Sequence, residues 1–93
     1  MDQKKYYVYI ITNRHHTVFY TGRTDDIKRR RDQHEGKWKQ AFTKKYNISK
    51  LVYFEEVGTK DEAILAERRV KKLSRKNKIK LIESLNPQWN SLL

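Results

Sequence analysis

Tyr7-Val8-Tyr9-Ile10-Ile11-Thr12-Asn13-Arg14-His15-His16-Thr17-Val18-Phe19-Tyr20-Thr21-Gly22 decides how the rest of the chain is read. Its two ends are rich in β-branched and aromatic residues, and its centre is polar. Such a pattern predicts two short strands joined by a turn at Asn13-Arg14-His15-His16, with Asn13 as the turn former. Side chains alternate along a strand. Val8, Ile10 and Thr12 are therefore expected on one face, with Tyr7, Tyr9 and Ile11 on the other. Phe19-Tyr20-Thr21 is the return strand. The hairpin brings the phenols of Tyr9 and Tyr20 close together. Gly22 is expected to end the second strand, where the backbone bends or approaches a ligand closely.

Working outward, 93 residues make one domain with one modest core. Lys and Arg total 22 against 11 acids, a net charge of +11. That charge on so small a body favours a polyanionic partner, nucleic acid before anionic membrane. The absence of cysteine excludes disulfides, a thiol nucleophile and Cys-based zinc sites, and suits a reducing cytoplasm. The apolar run after Met1-Asp2-Gln3-Lys4-Lys5 is too short for a signal-peptide core or a membrane span. His15-His16 has no third ligand beside it and is expected to be exposed. There is no Walker loop, dinucleotide fingerprint or nucleophile elbow.

Beyond Gly22, Thr24 or Asp25 can cap a helix running to about Gly36. Its sole aliphatic anchor is Ile27, and Arg30, Arg31 and His34 share that face. The helix either presents cations to a cleft or carries a solvated charged face. Gly36 to Lys50 interleaves Lys37, Lys39, Lys44 and Lys45 with Trp38, Phe42 and Tyr46. Lysines alternating with rings suit phosphate contact with base stacking, or rings plugging the core edge under snorkelling lysines. Leu51 to Val57 reads as a third strand, expected to be central because its apolar residues do not simply alternate. Thr59-Lys60-Asp61-Glu62 is a capping box. It opens a helix whose stripe is Ala63, Ala66, Val70 and Leu73. Glu67 falls on that stripe, where a carboxylate is costly unless it pairs with a cation or binds a metal. Ile79, Ile82 and Leu85 predict a last short helix ending before Asn86-Pro87. From Arg68 to Lys80, eight of thirteen residues are Lys or Arg with no acid among them, an electrostatic footprint for phosphates. Trp89, Leu92 and Leu93 are expected to dock the tail on the sheet.

Tyr7-Val8-Tyr9 followed by Tyr20-Thr21-Gly22 resembles the paired tripeptides of the GIY-YIG nuclease superfamily, with Tyr7, Val8 and Thr21 in place of Gly, Ile and Ile. The likeness is to small stand-alone bacterial members and to the N-terminal nuclease domain of the UvrC repair endonuclease. In that comparison Arg30 stands eight residues after Gly22, His34 follows, Glu67 lies on the later helix and Asn90 matches an active-site asparagine, with Asn86 as its rival. The resemblance covers nearly the whole chain. It implies an α/β fold with a small three-stranded sheet, antiparallel or mixed, flanked by three helices in the order β-β-α-β-α-α.

The resemblance further implies a metal-dependent DNA endonuclease of repair or recombination. Glu67 is its candidate ligand for a single Mg²⁺ or Mn²⁺, ions that keep water and phosphate oxygens as their other ligands. Arg30 is the candidate phosphate clamp, and Tyr9, Tyr20 or His34 the general base. An ordinary tyrosine, with a pKa of about 10, is only about 0.1% ionised at pH 7, so base catalysis by a phenol needs neighbouring cations to lower that pKa. Expected nucleic-acid contacts are Arg23, Arg31, Lys37, Lys44, Lys45, Arg68, Lys71, Lys72, Arg75 and Lys76. Related nucleases carry a further domain that chooses the target, so a protein partner is expected to supply that role. The competing reading is a binding module on the same fold that does not cleave, or cleaves only with a partner. A membrane-surface protein ranks last, because the final helices carry only an ordinary core stripe.

Overall fold

A computed structural model describes residues 5–27 and 50–92. Three strands, β1 (Tyr6–Thr12), β2 (Phe19–Thr24) and β3 (Lys50–Val57), form one antiparallel sheet in the order β2-β1-β3. Two helices follow, α1 (Lys60–Lys71) and α2 (Arg75–Leu85). The α/β class and the antiparallel sheet agree with the sequence. The helix expected from about residue 24 to 36 and the lysine-rich connector lie outside the described residues, apart from their first and last positions.

β1 is almost wholly β-branched and aromatic, which suits a strand with neighbours on both sides. Its residues Val8 to Thr12 are all buried. Alternation sorts them as expected. Val8 and Ile10 join Val52, Tyr53, Ala63, Ala66, Val70 and Ile82 on the helix side, while Tyr9, Ile11 and Leu51 pack with Val18, Ile27, Phe54 and Leu92 on the other.

The expectation that Leu51–Val57 is the central strand is incorrect: β1 is central and β3 lies at an edge. The misleading apolar run has a local cause. Ile10 opposes Tyr53 and Ile11 opposes Leu51, so Val52 is one extra residue in a bulge. The bulge puts Val52 and Tyr53 on the same side, which breaks the alternation without a second neighbour.

The β1–β2 turn closes through a bond from the His16 N–H to the Asn13 carbonyl at 3.1 Å, with His16 in the left-handed region at φ 57°. The Asn13 side-chain oxygen accepts from the N–H groups of Thr17 and Val18. β2 then runs through Gly22 to Thr24, so Gly22 does not end the strand as expected. The glycine answers a close approach instead. Gly22 faces Tyr9 across the pair, and a Cβ there would lie 2.5 Å from Tyr9 Oη.

Thr59 caps α1 by accepting the Glu62 N–H at 3.1 Å, and its hydroxyl also meets the Glu62 carboxylate. Small Ala63 and Ala66 with Val70 let the helix lie close on the sheet. Ser74 caps α2. The stripe expected there is only partly realised: Ile82 is buried, whereas Leu85 is 66% exposed. Steps of three residues turn about 300° in a helix of 3.6 residues per turn, so Ile79 and Leu85 diverge to either side of Ile82.

Trp89 and Leu92 dock as expected, and Leu93 lies outside the described residues. Trp89 Nε1 donates to Glu83, the Trp89 ring stacks on His16 at 4.4 Å, and the Leu92 N–H donates to the Leu51 carbonyl on the outer edge of β3. His16 is therefore half-buried under an indole, contrary to the expectation of an exposed pair, while His15 is exposed. Burial, the nearby Lys50 ammonium and His15 together push the His16 pKa down.

Candidate active site

The hairpin register sets the first half of the site. Tyr9 pairs with Gly22 and Ile11 with Tyr20, which puts both phenols and the bare glycine on one sheet face. Tyr9 is only 2% exposed and Tyr20 is 36% exposed, with ring centroids 6.4 Å apart. The buried ring lies across the Gly22 backbone, and the outer ring borders solvent. The two phenols are therefore close together on one hairpin, as the sequence implies, one buried and one accessible.

The second half lies on α1. Glu67 is 8% exposed on the stripe of Ala63, Ala66 and Val70. Its two oxygens are met by cations from two elements: Arg23 Nη1 reaches Oε1 at 2.5 Å, and Lys71 Nζ reaches Oε2 at 3.2 Å. Arg23 pairs with Val8 in the hairpin, and so points to the helix side of the sheet. Both pairs offset the cost of desolvating the carboxylate. The ion-pair reading of Glu67 thus holds in this state. Thr21, two residues before Arg23 on the same face, buries a hydroxyl with no hydrogen-bond partner among the described residues.

The two halves therefore occupy opposite faces of β2, joined through the consecutive residues Gly22 and Arg23. Among the described residues β2 is an edge strand, so the faces meet at its outer rim. Arg30, His34, Arg31, Lys37, Lys44 and Lys45 lie outside the described residues.

The rival asparagines separate clearly. Asn86 is buried, donating to the carbonyls of Val52 and Asn90 and accepting the Asn90 N–H, so its amide is committed to holding the tail. The Asn90 side chain lies in an exposed residue. Among the expected nucleic-acid contacts, Arg68, Lys71, Lys72, Arg75 and Lys76 are exposed on the two helices. Arg75 has a second duty. It donates to the carbonyls of His16 and Thr17 and lies over the Phe19 ring at 4.8 Å. Arg23 was expected only as a phosphate contact. Its pairing with Glu67 was missed, although alternation from Gly22 already sends it to the face opposite the phenols.

No group of three or more His, Asp or Glu able to hold a metal occurs among the described residues. A divalent ion at Glu67 would have one protein carboxylate and keep water as its other ligands, a donor set that suits Mg²⁺ or Mn²⁺ rather than zinc. The buried carboxylate, with the orphan Thr21 hydroxyl on the same face, fits such an ion once the ion has displaced Arg23 or Lys71 from the Glu67 oxygens.

The architecture of a small antiparallel sheet with a tyrosine hairpin and a glutamate on the following helix defines a class. The GIY-YIG catalytic domain matches residues 5–80, and the chain belongs to that nuclease family. Its relatives are small proteins of similar length. A UPF0213 protein of Syntrophus aciditrophicus is 38% identical over 85 residues, covering 90% of this chain and 95% of the relative. A UPF0213 protein of Listeria welshimeri is 42% identical over 60 residues, covering 64% of this chain and 67% of the relative. The solution NMR structure of a UPF0213 protein from Bacillus halodurans aligns with a TM-score of 0.58 at 31% identity, over 94% of this chain and 92% of that one.

Proposed function

We propose that the protein is an endonuclease that hydrolyses DNA phosphodiester bonds with one divalent cation, acting in the cytoplasm in repair or recombination. The observation that carries this reading is Glu67, a carboxylate held on an otherwise apolar helix stripe and reached by the arginine that directly follows Tyr20-Thr21-Gly22.

In this reading Glu67 is the protein's ligand for Mg²⁺ or Mn²⁺. When bound, the ion supplies charge neutralisation on the phosphoryl group and support for the leaving oxygen. Water oxygen attacks phosphorus, the bond to the leaving oxygen breaks, and the water proton passes to the base. Tyr20, the exposed phenol at the β2 rim, orients that water, and the buried Tyr9 ring holds Gly22 and Tyr20 in place. Arg30 is assigned to the phosphate, His34 is the rival base and Asn90 is a hydrogen-bonding contact. Arg68, Lys71, Lys72 and Lys76 give the duplex a cationic track along the helices. A protein partner is assigned to target selection.

The test is cleavage of nicked, flapped, branched and plain duplex DNA in Mg²⁺ or Mn²⁺, with Glu67→Ala and Arg30→Ala beside the wild type. The expected result is cleavage of at least one branched or nicked substrate, abolished by both substitutions, with Glu67→Ala still binding DNA. Binding without cleavage on every substrate would support the non-catalytic module instead. Cleavage that survives both substitutions would remove these residues from the site.

A further inference from the structure

Glu67 is the buried carboxylate of the described helices, and both its oxygens are taken. Two cations face one anion, so the cluster carries a net single positive charge before any ion arrives. A divalent cation entering there must displace a guanidinium or an ammonium and then stand beside the displaced charges. Charges a few ångströms apart in a partly buried setting interact several times more strongly than in bulk water. The free site is therefore built to repel the ion that its carboxylate would otherwise bind.

We infer that Arg23 and Lys71 form an electrostatic guard that keeps divalent cations off Glu67 in the free protein. The inference rests on the reading of Glu67 as the metal ligand. The two guards differ. Arg23 is borne on edge strand β2 and holds Oε1 across elements. Lys71 sits one helical turn beyond Glu67 on α1 and holds Oε2 more loosely. Arg23 is thus the stronger barrier. A polyanion at the β2 rim attracts the same two side chains, so phosphates that draw them away open the carboxylate. Metal uptake is then conditional on substrate, which limits adventitious ion binding by a protein with a single carboxylate ligand.

The probe is Mn²⁺ alone, added to the full chain without nucleic acid, with free ion measured by electron paramagnetic resonance. Wild type is compared with Arg23→Met, Arg23→Lys, Lys71→Met and Glu67→Gln, and the fold of each is checked by circular dichroism. Arg23→Met is expected to tighten Mn²⁺ binding about fivefold or more, a coupling of ordinary allosteric size. Lys71→Met should tighten it less, Arg23→Lys should stay near wild type, and Glu67→Gln should lose the site. If Arg23→Met unfolds, Lys71→Met carries the test, since Lys71 is exposed. Mn²⁺ binding that Glu67→Gln weakens but both methionine variants leave unchanged or weaker would overturn the guard and leave the metal reading standing. Uptake no greater in wild type and methionine variants than in Glu67→Gln would overturn both.

Discussion

Gly22→Ala tests whether the tyrosine pair is packed as tightly as the hairpin register implies. The added methyl would lie 2.5 Å from Tyr9 Oη, 2.6 Å from Tyr9 Cζ and 3.2 Å from Tyr20 Cε1. Ordinary carbon contacts lie at about 3.5–4.0 Å, so the Tyr9 ring must retreat by roughly 1 Å. It has little room, being buried against Ile11 and Leu51. Overpacking of this kind costs about 1–3 kcal/mol. Alanine also narrows the unfolded ensemble, which returns about 0.4–1 kcal/mol at a position whose backbone it accepts. The expected net loss is about 1–2 kcal/mol, a fall in Tm of roughly 4–16 °C for a domain of this size. Urea and thermal unfolding measure it. Tyr9→Phe removes the nearest atom but leaves the ring, so the double variant should recover part of the loss, with a coupling of about 0.5 kcal/mol or more. A Gly22→Ala protein as stable as wild type, or strict additivity with Tyr9→Phe, would refute the packing argument.

Other expectations follow from the same geometry. Asn86→Ala removes three hydrogen bonds that join α2, β3 and the tail, and should cost about 2–3 kcal/mol in chemical denaturation, whereas Asn90→Ala should stay within about 0.5 kcal/mol and affect only cleavage. The lowered His16 pKa means that the unfolded chain takes up this proton first. Stability should therefore be full above about pH 6.5 and fall as pH drops through the folded-state pKa, and thermal melts of His16→Gln should lack that component. Burial, with Glu55 beside it, raises the Tyr53 pKa to about 12. Stability from this phenol is present below pH 10 and is lost as pH rises towards 12, and ultraviolet titration should show one tyrosine ionising late, a feature absent in Tyr53→Phe. Lys72→Met and Lys76→Met should each lower the salt slope of duplex binding by about 1 if both touch phosphate.

The hairpin, its faces and the capped start of α1 were legible because each depends on near neighbours in sequence. Alternation alone sorted Val8 and Ile10 from Tyr9 and Ile11, and Thr59 and Glu62 announced the start of α1. The errors arose where tertiary context overrides a local pattern. A bulge at Val52 imitated the apolar run of a central strand, and the left-handed backbone of His16 and Trp89 set up a ring stack that no spacing rule anticipates. For the site, the buried placement of Glu67 was legible from the helix stripe on which it falls. Which cation would claim Glu67 was not, because that depends on the seating of α1 against β2, which brings Arg23 to a carboxylate 44 residues further along the chain. Asn86 and Asn90 were indistinguishable in sequence and are separated only by what their amides touch.

The sheet's seating order gives the protein an exposure problem during synthesis. β1 emerges first and finds β2 within a few residues, yet its other edge waits until Lys50–Val57 has left the ribosome. Until then Val8-Tyr9-Ile10-Ile11 lacks its second lateral neighbour and the cover of α1, and is a short apolar β-forming segment of the kind that recruits other chains. The outer flank of β3 stays open longer still, because the Leu92–Leu51 bond closes only when the last residues are available. A nascent chain stalled between residue 57 and the tail would hold a complete but unsealed sheet. Trimming the final residues should therefore reduce the yield of soluble protein more than it reduces the stability of the molecules that do fold.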